Sequence, residues 1–160
     1  MSENIVILGM GNLLLTDDGI GPHAAQALAD RPPSGVCVAD VGTDFLSALP
    51  FLDSAQRALI IDAVKGGGAP GTIYRLTESD VSPQEADSVS SHALSLLQAR
   101  RILSPGSPKI EIAILGVEPA VLGYGMDLSP SVAAVLPRVL ELIREIVTQW
   151  QEQEPPKKCA

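Results

Sequence analysis

Three side chains of types that bind metal ions are the strongest candidates for a functional site: Asp18, Asp62 and His92. Asp18 lies in a glycine- and leucine-rich loop, Asp62 directly follows the apolar run 59–61, and His92 lies near the start of a predicted helix. Two carboxylates and one imidazole form a mixed oxygen and nitrogen site, which suits Zn, Ni, Co or Mn better than copper or a metal that prefers thiolates. Such a site leaves positions open for water or a substrate.

The surroundings of each candidate decide which chemistry it favours. A carboxylate that ends a buried strand, as Asp62 does, must be hydrogen-bonded, paired or coordinated, because burying it alone costs too much free energy. His92 is expected in the first turn of a helix, where the positive end of the macrodipole favours the neutral imidazole that a metal ion requires. Asp17, next to Asp18, is expected to be only a helix cap or an Asx turn. The same structural role is expected for Asp40, Asp44, Asp53 and Asp80.

Apolar runs that alternate with helical patterns predict an α/β fold. The predicted strands are 5–8, 36–41, 58–61, 72–76 and 110–115, and the predicted helices are 22–29, 45–52, 91–103 and 130–150. They predict a three-layer αβα sandwich around a mostly parallel five-stranded sheet with one antiparallel edge strand. Residues 1–150 are expected to form a single domain. Residues 77–89 are expected to be a mobile polar excursion, and residues 151–160 a disordered tail.

The order of the strands would bring two of the candidates together. In open α/β sheets, ligands bind beyond the carboxyl ends of the strands, at the point where the strand order reverses. The first and third strands flank that point if the second strand lies outside the first. Asp18 and Asp62 would then lie at the same edge of the sheet, one strand apart.

The loop after the first strand also invites a comparison with a dinucleotide-binding loop. Gly9 and Gly11 fit the opening of that motif, but its third glycine is replaced by Leu14. The adjacent carboxylates Asp17 and Asp18 would repel a pyrophosphate. Nucleotide binding is therefore the weaker interpretation of this loop.

Charge and composition exclude several classes of partner. Eleven Lys and Arg against nineteen Asp and Glu give a net charge of −8, which disfavours nucleic acid and anionic membranes. The sequence has neither a signal-peptide pattern nor an apolar run of the ~18 residues that a membrane helix needs, so we expect a cytoplasmic protein. Cys37 and Cys159 are expected to be reduced thiols. Cys37 is expected to be buried in a strand, which disfavours a cysteine nucleophile as the catalytic group.

Ordered motifs along residues 4–147 resemble those of the NiFe-hydrogenase maturation endopeptidases. They are Gly9-Met10-Gly11-Asn12 with Asp17-Asp18-Gly19-Ile20-Gly21, Asp62-Ala63-Val64 with Pro70-Gly71-Thr72, Ser91-His92, Gly116-Val117-Glu118-Pro119 and Leu128-Ser129-Pro130. By motif match, the positions at which that family contacts a metal ion fall on Asp18, Asp62 and His92.

The resemblance implies an endopeptidase that removes the C-terminal extension of a hydrogenase large-subunit precursor after nickel insertion. Nickel would arrive with this substrate, and other divalent ions would occupy the site in vitro. The sequence has neither a Ser/His/Asp signature nor a His-Glu-x-x-His helix, so the peptidase would be of aspartic or metal-dependent type. Asp18 and Asp62 are the candidate catalytic carboxylates, and the base would be an aspartate or a metal-bound water. A monomer is expected. A nickel chaperone or sensor without proteolytic activity is the alternative.

Overall fold

A five-stranded sheet runs through the computed structural model, which describes residues 4–81 and 91–153. The strands are β1 (Ile5–Met10), β2 (Val36–Gly42), β3 (Arg57–Ala63), β4 (Ile73–Thr77) and β5 (Glu111–Val117). Their order across the sheet is β2-β1-β3-β5-β4. All neighbouring pairs are parallel except β4 and β5, which are antiparallel. The predicted sheet, with its antiparallel edge strand, is confirmed.

Helices cover both faces of this sheet. They are α1 (Ile20–Ala29), α2 (Phe45–Ser54), α3 (Ser91–Leu103) and α4 (Pro130–Glu152). Helices α1 and α4 share one apolar core with the sheet, and α2 and α3 share another on the opposite face. The architecture is therefore the predicted three-layer sandwich. No helix within the two described ranges is long and apolar enough to cross a membrane.

Aliphatic side chains on alternating faces of the central strands build the two cores. Every residue of β1 and β3 is buried. Along β1, Ile5 and Ile7 belong to the core beneath α1 and α4, whereas Val6 and Leu8 belong to the core beneath α2 and α3. Each such side chain contributes about 1.5–3 kcal/mol by leaving water. The site is consequently carried by strands that are packed from both sides.

The elements extend slightly beyond their predicted limits. β1 continues through Met10 and β3 through Ala63, because Gly9 stays paired with Ile61, and Asp62 with Gly116. Helix α1 begins at residue 20, two residues before the predicted proline start, and helix α4 ends at residue 152 instead of residue 150. Residues 78–80 of the predicted excursion form a short 3₁₀ turn. The rest of that excursion, 82–89, and residues 154–160 of the predicted tail lie outside the described residues.

The strand order is the one that the predicted position of the site requires. β2 lies outside β1, and β1 lies directly beside β3. From β1, the sheet continues to β2 on one side and to β3 on the other, so the strand order reverses between β1 and β3. The carboxyl ends of β1 and β3 form the crevice in which α/β proteins bind ligands.

Candidate active site

Three predicted side chains come together at the carboxyl ends of β1 and β3. His92 Nδ1 lies 3.2 Å from Asp62 Oδ1, and His92 Nε2 lies 3.6 Å from Asp18 Oδ2. One ligand atom from each of the three residues lies within 4.8 Å of the other two. The structure therefore brings together Asp18, Asp62 and His92, which we call the acidic–histidine cluster.

Asp62 is the rigid centre of this cluster. Its side chain is inaccessible to solvent, and the backbone N–H of Ala63 donates to Oδ1 at 2.8 Å. The backbone N–H of Ala93, in the first turn of α3, donates to Oδ2 at 3.1 Å. First-turn N–H groups have no acceptor within their own helix, so the carboxylate satisfies one of them. The same contact holds the start of α3, and with it His92, against the end of β3.

Asp18 reaches the cluster because the loop after β1 folds back on itself. The backbone N–H of Asn12 donates to Asp18 Oδ2 at 2.9 Å, and Asp18 N–H donates to the carbonyl of Leu15 at 3.0 Å. Gly11 has a φ of +133°, and a Cβ at this position would lie 1.9 Å from the carbonyl oxygen of Asp18. Only glycine permits this close approach.

The surroundings of His92 shift its pKa upward. The hydrogen bond to Asp62 raises the pKa of His92; burial lowers it, and the charges of Asp62 and Asp18 raise it further. The two carboxylates next to the ring therefore act against the shift toward the neutral form that was expected from the helix start. A proton and a metal ion consequently compete for this imidazole.

The donor set of the cluster fits a divalent ion. Oxygen and nitrogen ligands bind zinc-like ions at about 2.0–2.2 Å, so two ligands of one ion lie at most about 4.4 Å apart. The observed upper separation of 4.8 Å is a few tenths of an ångström wider than that. A small movement of partly exposed side chains closes such a gap, and the side chains of Asp18 and His92 are 15% and 21% exposed.

Asp17 has a larger role than the sequence suggested. It is 1% exposed, and it accepts hydrogen bonds from Ser129 N at Oδ1 and from Ser129 Oγ, Ala120 N and Val121 N at Oδ2, all at 2.8–2.9 Å. Burial raises the pKa of Asp17, but these hydrogen bonds outweigh burial and lower it below its ordinary value. The expectation of a helix cap or an Asx turn is wrong, because the carboxylate instead joins the loop of Asp18 to the loop after β5.

The other aspartates that were assigned structural roles mostly keep them. Asp44 caps α2 by accepting from the backbone N–H of Ser47, Asp40 accepts from the N–H two residues later, and Asp80 accepts from the N–H of the residue that precedes its 3₁₀ turn. Asp53 is the exception, because it contacts side chains at the end of α3 and beyond it.

Cys37 is exposed, so the expectation of a buried thiol is wrong. β2 is an edge strand in which no residue is fully buried, a property that its apolar sequence does not reveal. Cys37 pairs with Val6 near the amino end of β1, whereas the acidic–histidine cluster lies at the carboxyl end. This position keeps the thiol away from the cluster.

A second carboxylate network, which the sequence did not predict, borders the site. Glu118 is 9% exposed, and its Oε2 accepts hydrogen bonds from Gly66 N at 2.6 Å and from the Tyr74 hydroxyl at 2.9 Å. Tyr74 in turn accepts from Gly68 N at 2.9 Å. These bonds hold the glycine loop after β3 beside an open cavity of about 640 Å³. The cavity is lined by Lys65, Gly66, Gly67, Glu118, Pro119, Ala120 and Leu122.

Comparisons with known proteins identify the class to which this fold and site belong. Residues 22–146 match the family of hydrogenase maturation proteases. The Hydrogenase 2 maturation protease of Escherichia coli (strain K12) is 32% identical over 159 residues, which cover 97% of each protein. The structure of the hydrogenase maturating endopeptidase HybD from E. coli is similar with a TM-score of 0.80 and 31% identity, over 91% of this chain and 93% of that one.

A second solved structure is also similar to this chain. The NiFe hydrogenase maturation protease HybD from Thermococcus kodakarensis has a TM-score of 0.75 and 25% identity, over 89% of this chain and 98% of that one. The chain is a peptidase with an α/β fold. It belongs to the hydrogenase maturation protease family. The sequence-based resemblance is thereby confirmed. The matched range 22–146 contains Asp62 and His92, and Asp18 lies just before it.

Proposed function

We propose that this peptidase removes the C-terminal extension of a hydrogenase large-subunit precursor after nickel insertion, and that the acidic–histidine cluster contacts the nickel in that precursor. The observation that carries the proposal is the convergence of Asp18, Asp62 and His92, with ligand atoms within 4.8 Å of one another, in a chain of this family. The arrangement supports recognition of a metal ion that arrives with the substrate, since the side chains of Asp18 and His92 are partly exposed at the edge of the cluster.

Exposure assigns different tasks to the two carboxylates. Asp62 has no solvent-accessible side-chain surface, whereas 15% of the Asp18 side chain is accessible. A substrate that approaches the crevice therefore meets Asp18 and His92 first. Asp62 orients His92 through the Nδ1–Oδ1 contact and supplies negative charge from the buried side of the cluster. Both carboxylates would balance the positive charge of a metal ion held by the substrate.

Asp18 is the carboxylate best placed to act as the general base. Both oxygens of Asp62 already accept hydrogen bonds from buried donors, so proton transfer to Asp62 would weaken these bonds by removing the charge of the acceptor. Asp18 lies at the accessible edge, where a water molecule can reach it. A divalent ion at this position would polarise the scissile carbonyl or acidify a water. The scissile peptide, held next to Asp18, would also be cleaved faster because the reacting groups are already close together.

The cavity between the loops after β3 and β5 offers room for the substrate backbone. Its first lining residue, Lys65, lies three positions after Asp62 in the sequence. The cavity has a volume of about 640 Å³, which suits a short extended peptide. Gly66 and Gly67 form one wall, and their lack of side chains lets a peptide backbone approach closely. We therefore place the segment around the scissile bond in this cavity.

Substitutions in the cluster test the proposal on a nickel-loaded precursor. Asp18→Asn, Asp62→Asn and His92→Ala should each abolish shortening of the precursor while the protein remains folded by circular dichroism. Asp44→Asn is the matched control, because this exposed aspartate only caps α2, and it should cleave normally. Unchanged shortening by all three cluster variants would remove the basis for this site.

A nickel chaperone or sensor would behave differently in a binding measurement. It would hold nickel tightly without any precursor, and it would leave every precursor at full length. Equilibrium dialysis of the isolated protein with nickel, followed by incubation with the loaded precursor, separates these functions. The proposal expects cleavage; tight nickel binding without cleavage would favour the chaperone.

A further inference from the structure

Large apolar side chains are concentrated on two loops next to Asp18. Seven large hydrophobic side chains are exposed among the described residues, and four of them belong to the loop after β1 or the loop after β5. They are Leu14 at 56% exposure, Val121 at 47%, Tyr124 at 95% and Met126 at 63%. Single exposed hydrophobic residues are ordinary, but a cluster of them marks a contact surface. We call these four residues the apolar loop surface.

Backbone hydrogen bonds join the two loops, so the four side chains stand on one continuous support. Thr16 N donates to the carbonyl of Gly125 at 2.8 Å, and Gly125 N donates to the carbonyl of Leu14 at 2.9 Å. Asp17 N donates to the carbonyl of Val121 at 3.1 Å. The buried carboxylate of Asp17 adds its bonds to the same loop. The apolar loop surface is therefore held in place before any partner arrives.

Strain in the first loop indicates that this shape is maintained for a purpose. Thr16 has a φ of +50°, and it is the only described residue other than glycine with positive φ. This conformation is unfavourable for a β-branched side chain and costs about 1–3 kcal/mol. The Thr16 hydroxyl donates to the carbonyl of Gly123 at 2.7 Å, which ties the strained residue to the second loop. Backbone strain of this kind persists where the surrounding structure enforces it, and it is concentrated at functional sites.

We propose that the apolar loop surface is the docking site for the folded hydrogenase precursor, and that it receives an apolar patch beside the metal centre of that precursor. This inference rests on the proposed function, because a metal ion carried by a large partner reaches Asp18 only when the partner lies against the neighbouring loops. Asp18 belongs to the same loop as Leu14, and its N–H donates to the carbonyl of Leu15 at 3.0 Å.

The chemistry of the surface specifies an apolar partner. The chain carries a net charge of −8, yet residues 119–126 contain no charged side chain, and neither do residues 13–15. Cores of protein interfaces are depleted in charge and enriched in aromatic side chains and methionine. A rigid support also lowers the entropy lost on association. These properties favour an uncharged, apolar complement over a basic one.

Steady-state cleavage of nickel-loaded precursor tests the docking surface. Tyr124→Ser and Leu14→Ser should each raise KM by about tenfold or more, as expected for a truncated central contact, and leave kcat at saturating precursor nearly unchanged. Tyr124→Phe keeps the apolar ring and should retain the wild-type KM. Ile102→Ser is the control, because this residue is 75% exposed at the far end of α3, and it should have no effect.

The outcomes distinguish this inference from the proposed function. If the wild-type protein cleaves the precursor but KM stays within about twofold in both serine variants, the docking surface is wrong and the function stands. If the wild-type protein cleaves no precursor, the proposed function itself fails, and the docking surface fails with it. Sedimentation of the wild-type protein as a dimer that Tyr124→Ser converts to a monomer would also overturn the inference, since a second copy would then occupy the surface.

Discussion

Replacement of Asp17 by asparagine tests how far the loop of Asp18 depends on one buried carboxylate. Asp17 Oδ1 accepts a hydrogen bond from Ser129 N, and Oδ2 accepts from Ser129 Oγ and from two backbone N–H groups. An asparagine keeps most bonds if its amide nitrogen takes the place of Oδ1. That orientation leaves the N–H of Ser129 unpaired, which costs about 1–3 kcal/mol.

The three bonds that remain lose their charged acceptor. A hydrogen bond to a charged group contributes about 1.5–3 kcal/mol and a neutral one about 0.5–1.5 kcal/mol, so each bond weakens by about 1 kcal/mol. Together with the unpaired N–H, Asp17→Asn should lower the free energy of unfolding by about 4–6 kcal/mol. For a chain of this length, the melting temperature should fall by roughly 15 °C.

Urea unfolding followed by circular dichroism measures this loss. Ser129→Ala is the matched comparison, because it removes only the hydroxyl donor and should cost about 1 kcal/mol. The double variant should lose less than the sum of the two single losses, since both changes act on the same network. A loss in Asp17→Asn that is no larger than in Ser129→Ala would refute the assignment of Asp17 as the link between the loops.

The pH dependence provides a second readout of the same carboxylate. The pKa of Asp17 lies below its ordinary value of 3.8, so its ionised form stabilises the fold above that value. This contribution disappears as the pH falls from about 4 through the lower, folded-state pKa. The stability difference between wild type and Asp17→Asn should therefore be constant above about pH 5 and shrink below about pH 4. A difference that stays constant down to pH 2 would contradict the hydrogen-bonded carboxylate.

Three further predictions address the surroundings of the cluster. Gly11→Ala should lower the melting temperature and abolish cleavage, since its Cβ would lie 1.9 Å from the carbonyl oxygen of Asp18. Gly67→Ala is the control: residue 67 also has positive φ, but no atom lies within 4 Å of its Cβ. This variant should lower the free energy of unfolding by only about 1 kcal/mol. Tyr74→Phe should lower the free energy of unfolding in urea by about 1–3 kcal/mol, because the buried carboxylate of Glu118 loses the hydroxyl that donates to it. His92 has a raised pKa, so its protonated form stabilises the fold. This contribution should be complete below about pH 6.5 and should be lost as the pH rises through the folded-state pKa. Urea unfolding of the wild type and of His92→Gln from about pH 5 to 9 measures it.

Each of these predictions has a distinct contrary result. Equal melting temperatures of the Gly11→Ala and Gly67→Ala variants would show that the loop does not require the close approach at residue 11. Unchanged stability of Tyr74→Phe would mean that the network around Glu118 does not hold the glycine loop. A His92→Gln difference that grows with rising pH would show that burial, and not the carboxylates, dominates the imidazole.

The fold, and the position of Asp62 at the edge of the sheet, could be predicted from the sequence because both follow from local rules. Alternation of apolar runs with helical patterns specifies an α/β sheet, and the carboxyl ends of neighbouring parallel strands necessarily meet at one edge. Asp62 could be placed there directly, since it follows an apolar run. The convergence of Asp18 and His92 on Asp62 required in addition the family motifs around them.

The features that the sequence did not predict depend on partners that are distant along the chain. Asp17 is held chiefly by backbone N–H groups, at residues 120, 121 and 129, and backbone donors leave no signature in a sequence. Glu118 likewise accepts from the N–H of Gly66 and from a hydroxyl on β4. The raised pKa of His92 depends on the 3.2 Å contact with Asp62, which only the folded chain creates. The exposure of Cys37 depends on β2 being an edge strand, whose apolar residues resemble those of a central one.

Intact mass spectrometry of two otherwise identical precursors is the most direct test of the proposed activity. Nickel-loaded and nickel-free forms of the hydrogenase large-subunit precursor are incubated with the wild-type protein, and the mass of each is followed over time. The account predicts that only the nickel-loaded precursor loses its C-terminal extension, because only its metal engages Asp18, Asp62 and His92. Equal shortening of both precursors, or of neither, would contradict it.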